Sequence, residues 1–283
     1  MEHPDWYDNW PEELKALSFP TTIIPLTPEM RESIYKFISV NTESHGANWW
    51  MNKLKDRVKK ALLDYPDGAF VKLSSRSPKD NWDAIKKGFK VSTAQEVFNL
   101  LFQSERIMED ITLPDINLLI RKWQDMRPED EWRCFQREGK FVGISQYFYN
   151  DVFRYPDCDL GEILQVAKKA HDAIKPYVPE NIVFDLWIPA LIEPEFRLIE
   201  INPWVATPFG TDPCLFEWKD LETATSLKFK YNRIQTADYC GCLIYRDDTF
   251  EGAKGKLINE LTSLGITATF EEASDESDRT HNG

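Results

Sequence analysis

Residues 131–149, EWRCFQREGKFVGISQYFY, hold two runs of alternating side chains joined at Glu138-Gly139, and no other stretch limits the fold so strongly. Alternation with a period of two belongs to strands with unlike faces, and a short joint of turn-prone residues folds two such runs into an antiparallel hairpin. A second hairpin is expected over 182–204, IVFDLWIPALIEPEFRLIEINPW, with its loop around Glu193-Pro194. Shorter strands are expected within 19–28, at 69–73 (AFVKL) and at 116–123 (INLLIRKW).

Between the strands lie segments of helical period. Thr27 and Pro28 start one that runs through Ile34 and Phe37. NKLKDRVKKALLDY (52–65) sets Leu54, Val58, Ala61 and Leu62 on one face and lysines on the other. Thr93 and Glu96 stand in capping-box spacing at the head of TAQEVFNLLF. DLGEILQVAKKAHDAIKPY (159–177) is amphipathic and stopped by Pro176, and DDTFEGAKGKLINELTSLG (247–265) is closed by Gly265. Helices and antiparallel hairpins alternate in blocks, which predicts an α+β fold rather than a doubly wound parallel sheet. The division expected is 1–122, 123–267, and a disordered acidic tail over 268–283.

A net charge of −13 over 283 residues argues against non-specific nucleic-acid binding, which needs basic phosphate contacts. Five cysteines at 134, 158, 214, 240 and 242 form no CxxC pair, and the four histidines are scattered. Reduced, partly buried thiols are expected rather than a disulfide framework or zinc site. The N-terminus lacks a basic-then-apolar signal, and no apolar run approaches the ~18 residues that span a bilayer. A cytoplasmic protein with no membrane segment is expected.

Four segments place polar groups inside strand-like runs. Lys72 sits in FVKLSSRSPKD, before a serine-rich turn; it can reach a phosphate as a point charge, and it also reads as an edge-strand lysine in water. LLIRKWQDMRP can lie across a purine, with Trp123 and Met126 as apolar surface, or can simply pack a core. Glu131 and Arg133 share a strand face, as many ordinary ion pairs do. Asp185 interrupts an apolar strand and needs a cation or donors if buried. Counting outward from a hairpin centre near Ile192 sets Asp185 opposite Ile199, with Glu200 beside it and Asn202 on the same face as Glu200. Three oxygen ligands then converge where a magnesium ion carrying a nucleotide's phosphates could sit. Neither GxxxxGK[ST] nor GxGxxG occurs, so no P-loop or Rossmann site is supported.

FVKLSSRSPKD, LIRKWQDMRPEDEWRCF, GKFVGISQ, VFDLWI, LIEINPW and TDPCLFEW occur in an order that resembles the cell division cycle protein 123 family of the ATP-grasp superfamily, from about Phe19 to Trp218. The resemblance implies an ATP-grasp fold, two α+β subdomains with antiparallel sheets gripping ATP. It implies that Lys72 meets the nucleotide phosphates, that Lys122 to Met126 (Trp123 among them) border adenine, and that Arg133 faces the phosphates; Arg76, in the serine-rich turn, is a further candidate for the nucleotide. Asp185, Glu200 and Asn202 match its magnesium ligands. It further implies an assembly chaperone for translation initiation factor 2 that binds the gamma subunit. The alternative is a ligase or phosphotransferase that activates a carboxylate for coupling to an amine, with Arg133 as a catalytic residue and Arg76 and Lys79 helping to spread charge. The chain departs from the family at Glu200, often aspartate, at Tyr147, often arginine, in a short N-terminal acidic insert, and after about Asp220.

Overall fold

The computed structural model describes residues 3–40, 45–151, 153, 157–189, 195–207, 210–231 and 268–270. It divides into two compact units, Met1–Asp125 and Met126–Gly283, each taken by itself below.

The first unit holds α1 (Glu12–Ala16), β1 (Thr21–Pro25), α2 (Pro28–Val40), α3 (His45–Leu62), β2 (Ala69–Leu73), α4 (Trp82–Lys87), α5 (Ala94–Phe102), α6 (Glu105–Asp110) and β3 (Asn117–Lys122). β3 runs antiparallel between β1 and β2, with Ile24 opposite Leu118 and Lys72 opposite Leu119. One sheet face, through Ile24, Val71, Leu73, Leu118 and Ile120, joins the apolar sides of α2, α3 and α5 in a single core. α5 starts as the sequence predicts: Thr93 Oγ1 accepts from the Glu96 amide, and the Glu96 carboxylate accepts from the Thr93 amide.

The other sheet face carries Lys72, Leu119 and Arg121, by the alternation of the strands. The N-terminal segment is bound to that same face. Asp8 Oδ2 accepts from Ser74 Oγ at 2.8 Å and from Asn117 Nδ2 at 2.5 Å, and the Arg121 guanidinium lies 5.1 Å from the centre of the Tyr7 ring. Trp6, Tyr7 and Trp10 are buried.

The second unit holds β4 (Glu131–Arg137), β5 (Lys140–Gln146), α7 (Asp157–Ile174), β6 (Ile182–Trp187), β7 (Arg197–Pro203), α8 (Trp218–Glu222), β8 (Leu227–Lys230) and β9 (Ala268–Phe270). Glu138 and Gly139 both have positive φ (49° and 68°), the backbone of a two-residue turn whose twist suits a hairpin. The order β7-β6-β4-β5-β8-β9 corrects one expectation. β4 to β7 pair antiparallel, but β8 joins β5, and β9 joins β8, in parallel, so this sheet is mixed. Hairpin patterns reveal neighbours in sequence and carry no signal for edge strands added from far along the chain. β9 takes the first three residues of the tail expected at 268–283; the remainder of that tail and the helix expected at 247–265 lie outside the described residues. Cys134 and Cys214 are free thiols, while Cys240 and Cys242 lie outside the described residues.

α7 covers one face of this sheet. His171 is buried there, stacked on Phe141 with ring centres 5.2 Å apart, and its Nε2 has no hydrogen-bond partner among the described residues. Burial holds the imidazole below its usual pKa; Lys175 acts in the same direction. Asp172, 3.5 Å from Nδ1, opposes them weakly because its carboxylate is exposed and solvated. A group depressed in the fold is neutral there, whereas the unfolded chain binds its proton near pH 6.5. Stability is therefore expected to fall as pH drops below about 6.5, with a slope of at most about 1.4 kcal/mol per pH unit from this residue. Urea midpoints between pH 7.5 and 5.5 check this: His171→Phe should flatten the dependence, and an unchanged slope would place the titration elsewhere.

Candidate functional site

The sheet face opposite α7 carries the polar constellation. β4 lies beside β6 with Arg133 opposite Asp185, and β6 lies beside β7 with Asp185 opposite Glu200 and Val183 opposite Asn202. Directly opposite residues share a face, so Arg133, Asp185, Glu200 and Asn202 project together. An irregularity after Asp185 shifts the register, which is why Glu200, rather than Ile199, is the direct partner.

Asp185 is fully buried. Its Oδ1 accepts from Arg133 Nε at 2.8 Å, and its Oδ2 accepts from Arg133 Nη2 at 2.8 Å and from Asn202 Nδ2 at 3.2 Å. Arg133 Nη1 also donates to the Asp212 carbonyl at 2.9 Å, and the guanidinium stacks 4.8 Å from the centre of the Tyr147 ring. Burial works against the charge on Arg133, but the Asp185 carboxylate outweighs it and holds the guanidinium above its ordinary pKa. Burial pushes the Asp185 carboxyl up; Arg133 pulls it down, and the neighbouring Glu200 pushes it up again. Burial likewise raises the Cys214 thiol to about 12, so it stays protonated at neutral pH and is no nucleophile.

Residues 210–222 fold over part of this face. The Leu215 amide donates to Ser145 Oγ at 3.3 Å, and Phe216 and Leu221 pack on Phe135. A Cβ at Gly143 would stand 2.7 Å from Leu221 Cδ2 and 3.3 Å from Phe135 and Phe216, which explains the glycine in GKFVGISQ. Cys214 takes a positive φ of 55° where this segment turns, with its amide bound to Asp212 Oδ1.

The residues expected from sequence fall into three groups. Arg133, Asp185, Glu200 and Asn202 meet as described. In the first unit Lys72 is buried on the sheet face opposite the core, and is not the water-exposed edge lysine of the other reading. Lys122 ends β3, its amide bound to the Pro20 carbonyl; the Trp123 amide donates to Gly68 and its indole to Asp125 Oδ1 at 2.7 Å. Met126 is exposed. Arg76 departs from expectation. Its Nε and Nη2 form a two-pronged pair with Asp110, both at 2.7 Å, and Nη1 reaches Glu109 at 3.2 Å. With its charge matched locally, Arg76 is a brace between its turn and α6 rather than an open phosphate contact.

Sequence reasoning missed that Arg133 and Asp185 bind each other, and missed Asp212 and Tyr147 as parts of the same set. The Tyr147 departure was visible, but only the fold shows its ring against Arg133.

The donor set suits a hard divalent cation in part. Two carboxylates stand side by side with an amide, and repulsion between Asp185 and Glu200 would be relieved by a positive ion. Among the described residues no group of three or more His, Cys, Asp or Glu side chains forms a metal cage.

The D123 family matches residues 38–240, most of the chain. The chain belongs to the D123 family. Among curated D123 relatives, the translation initiation factor eIF2 assembly protein of Sclerotinia sclerotiorum is 27% identical over 263 residues, 77% of this chain and 63% of that protein. The protein of the same name from Xenopus laevis is 30% identical over 184 residues, 58% of this chain and 52% of that protein. The match thus spans between half and two thirds of these relatives' lengths. Cdc123 from Schizosaccharomyces pombe, in a C-terminally truncated form, superposes with a TM-score of 0.65 at 20% identity, covering 80% of this chain and 95% of that one. The D123 chain therefore shares the Cdc123 fold. Among the described residues no helix is long and apolar enough to cross a membrane.

Proposed function

We propose that this D123 chain binds ATP with magnesium and acts in the cytoplasm as an assembly factor for translation initiation factor 2, engaging its gamma subunit. Membership of a family whose curated relatives are named eIF2 assembly proteins carries the reading. Within the chain, Asp185, Glu200 and Asn202 would hold the cation through oxygen. Among the described residues, Asp185 and Asp212 take three of the five N–H groups of Arg133, and the other two would serve a phosphate. As the family resemblance implies, Lys72 would meet phosphate as a point charge, and Trp123 and Met126 would border the base. The bound cation would neutralise phosphate charge; the protein's part is to hold these groups in place before ligand arrives.

Isothermal titration with ATP and magnesium tests the site. Asn202→Ala and Glu200→Gln are the informative variants, because both positions are only half-buried and neither leaves a buried ion alone. Each is expected to weaken magnesium-dependent ATP binding roughly tenfold, the scale of one contact to a charged group. Lys72→Met should weaken ATP while leaving adenosine unaffected. Unchanged affinity in all three would remove the assignment. Capture of the gamma subunit without ADP or AMP release supports the assembly role; release stimulated by a small carboxylate and an amine would favour the ligase.

A further inference from the structure

One face of α3 is turned outward along its whole described length. Leu54, Val58, Ala61 and Leu62 enter the core, and the opposite side presents Trp49, Lys53, Asp56, Lys60 and, just past the helix end, Leu63. Steps of four, three, four and three residues make these one stripe. Its two ends are apolar and unusually open, Trp49 at 56% exposure and Leu63 at 79%. Between them Lys53 and Lys60 flank Asp56, whose carboxylate is paired with the exposed Lys59 at 3.8 Å, so the middle carries net positive charge. Lys53 Nζ stands 4.9 Å from the Trp49 ring centre and 5.2 Å from that of Trp50.

The charge of this region opposes that of the chain. Within α3, from Lys53 to Lys60, there are five lysines and arginines against one aspartate, within a protein of net charge −13. The two apolar ends are 14 residues apart, about 21 Å at 1.5 Å per residue. We propose that this face of α3 docks an extended acidic segment of a partner protein, its carboxylates on Lys53 and Lys60 and an apolar side chain at each end on Trp49 and Leu63. An exposed leucine finds no counterpart in a phosphate backbone, and one face of the Trp49 ring already carries a lysine. Both features favour a polypeptide over a nucleic acid. The inference does not depend on the nucleotide reading, since none of these residues belongs to that site.

The test uses the full chain and a fluorescein-labelled peptide, phenylalanine, six glutamates and leucine, whose ends lie about 23 Å apart when extended. Fluorescence anisotropy should show binding that weakens as salt rises. Lys53→Glu with Lys60→Glu should lower affinity at least tenfold, and Trp49→Ala severalfold. The variants should melt with the parent, because the positions are exposed, and should bind ATP as the parent does. Three outcomes would overturn the proposal: no binding by the parent, equal affinity in the charge-reversed variant, or an eight-nucleotide oligouridylate that binds more tightly than the peptide.

Discussion

Arg133→Met is expected to destabilise the protein by about 3–5 kcal/mol, the cost of stranding a buried ionised partner. Asp185 is fully buried, and without Arg133 it loses its cationic partner and keeps the weaker Asn202 amide donor at 3.2 Å. The carboxyl would then stay protonated or draw in water, and either disturbs the centre of the six-stranded sheet. Adding Asp185→Leu should recover most of the loss, because a pair of apolar residues removes the stranded charge. Urea denaturation of the parent, both single variants and the double variant forms a complete cycle. Single and double variants equally unstable would mean that the pair is not the source of the effect, and that packing around Phe135 and Tyr147 is.

Removing residues 1–10 should have a still larger effect, on the first unit. Truncating one buried tryptophan to alanine costs about 3–5 kcal/mol, and this deletion removes Trp6, Tyr7 and Trp10 together. That loss is comparable with the whole stability of a typical domain, about 5–15 kcal/mol. The first unit is therefore expected to lose its fixed structure, seen as rapid tryptic cleavage within it. Asp8→Ala is the milder companion. It takes the acceptor from Ser74 and Asn117 and should cost about 1–3 kcal/mol. A truncated chain that resists trypsin and melts with the parent would show that the segment merely rests on the sheet.

Features written into neighbouring residues were legible in the sequence. The Glu138-Gly139 turn needs only two residues with positive φ between alternating runs, and the Thr93–Glu96 cap closes over three residues. Counting along one hairpin brought Asp185 and Glu200 together to within one position, and the remaining offset comes from an irregularity that alternation does not encode. Pairings between distant segments were not legible. Arg133 and Asp185 are 52 residues apart and meet because β4, not the preceding strand β5, flanks β6 on the side away from β7. Arg76 finds Asp110 across 34 residues, and β8 and β9 add in parallel at an edge no local pattern marks. The resemblance implied which residues to expect at the site. It did not show that the expected phosphate contact and the expected metal ligand are bound to each other.

The attachment of the N-terminus to its sheet has a consequence for how the protein is made. Asp8 is synthesised 66 residues before Ser74 and 109 residues before Asn117, its two partners. At about 5–20 residues per second, that is an interval of about 5–20 s. Throughout it, the two tryptophans and the tyrosine that end up buried are without the strand that carries Asn117. The sheet can therefore receive this aromatic segment only once β3 has been synthesised.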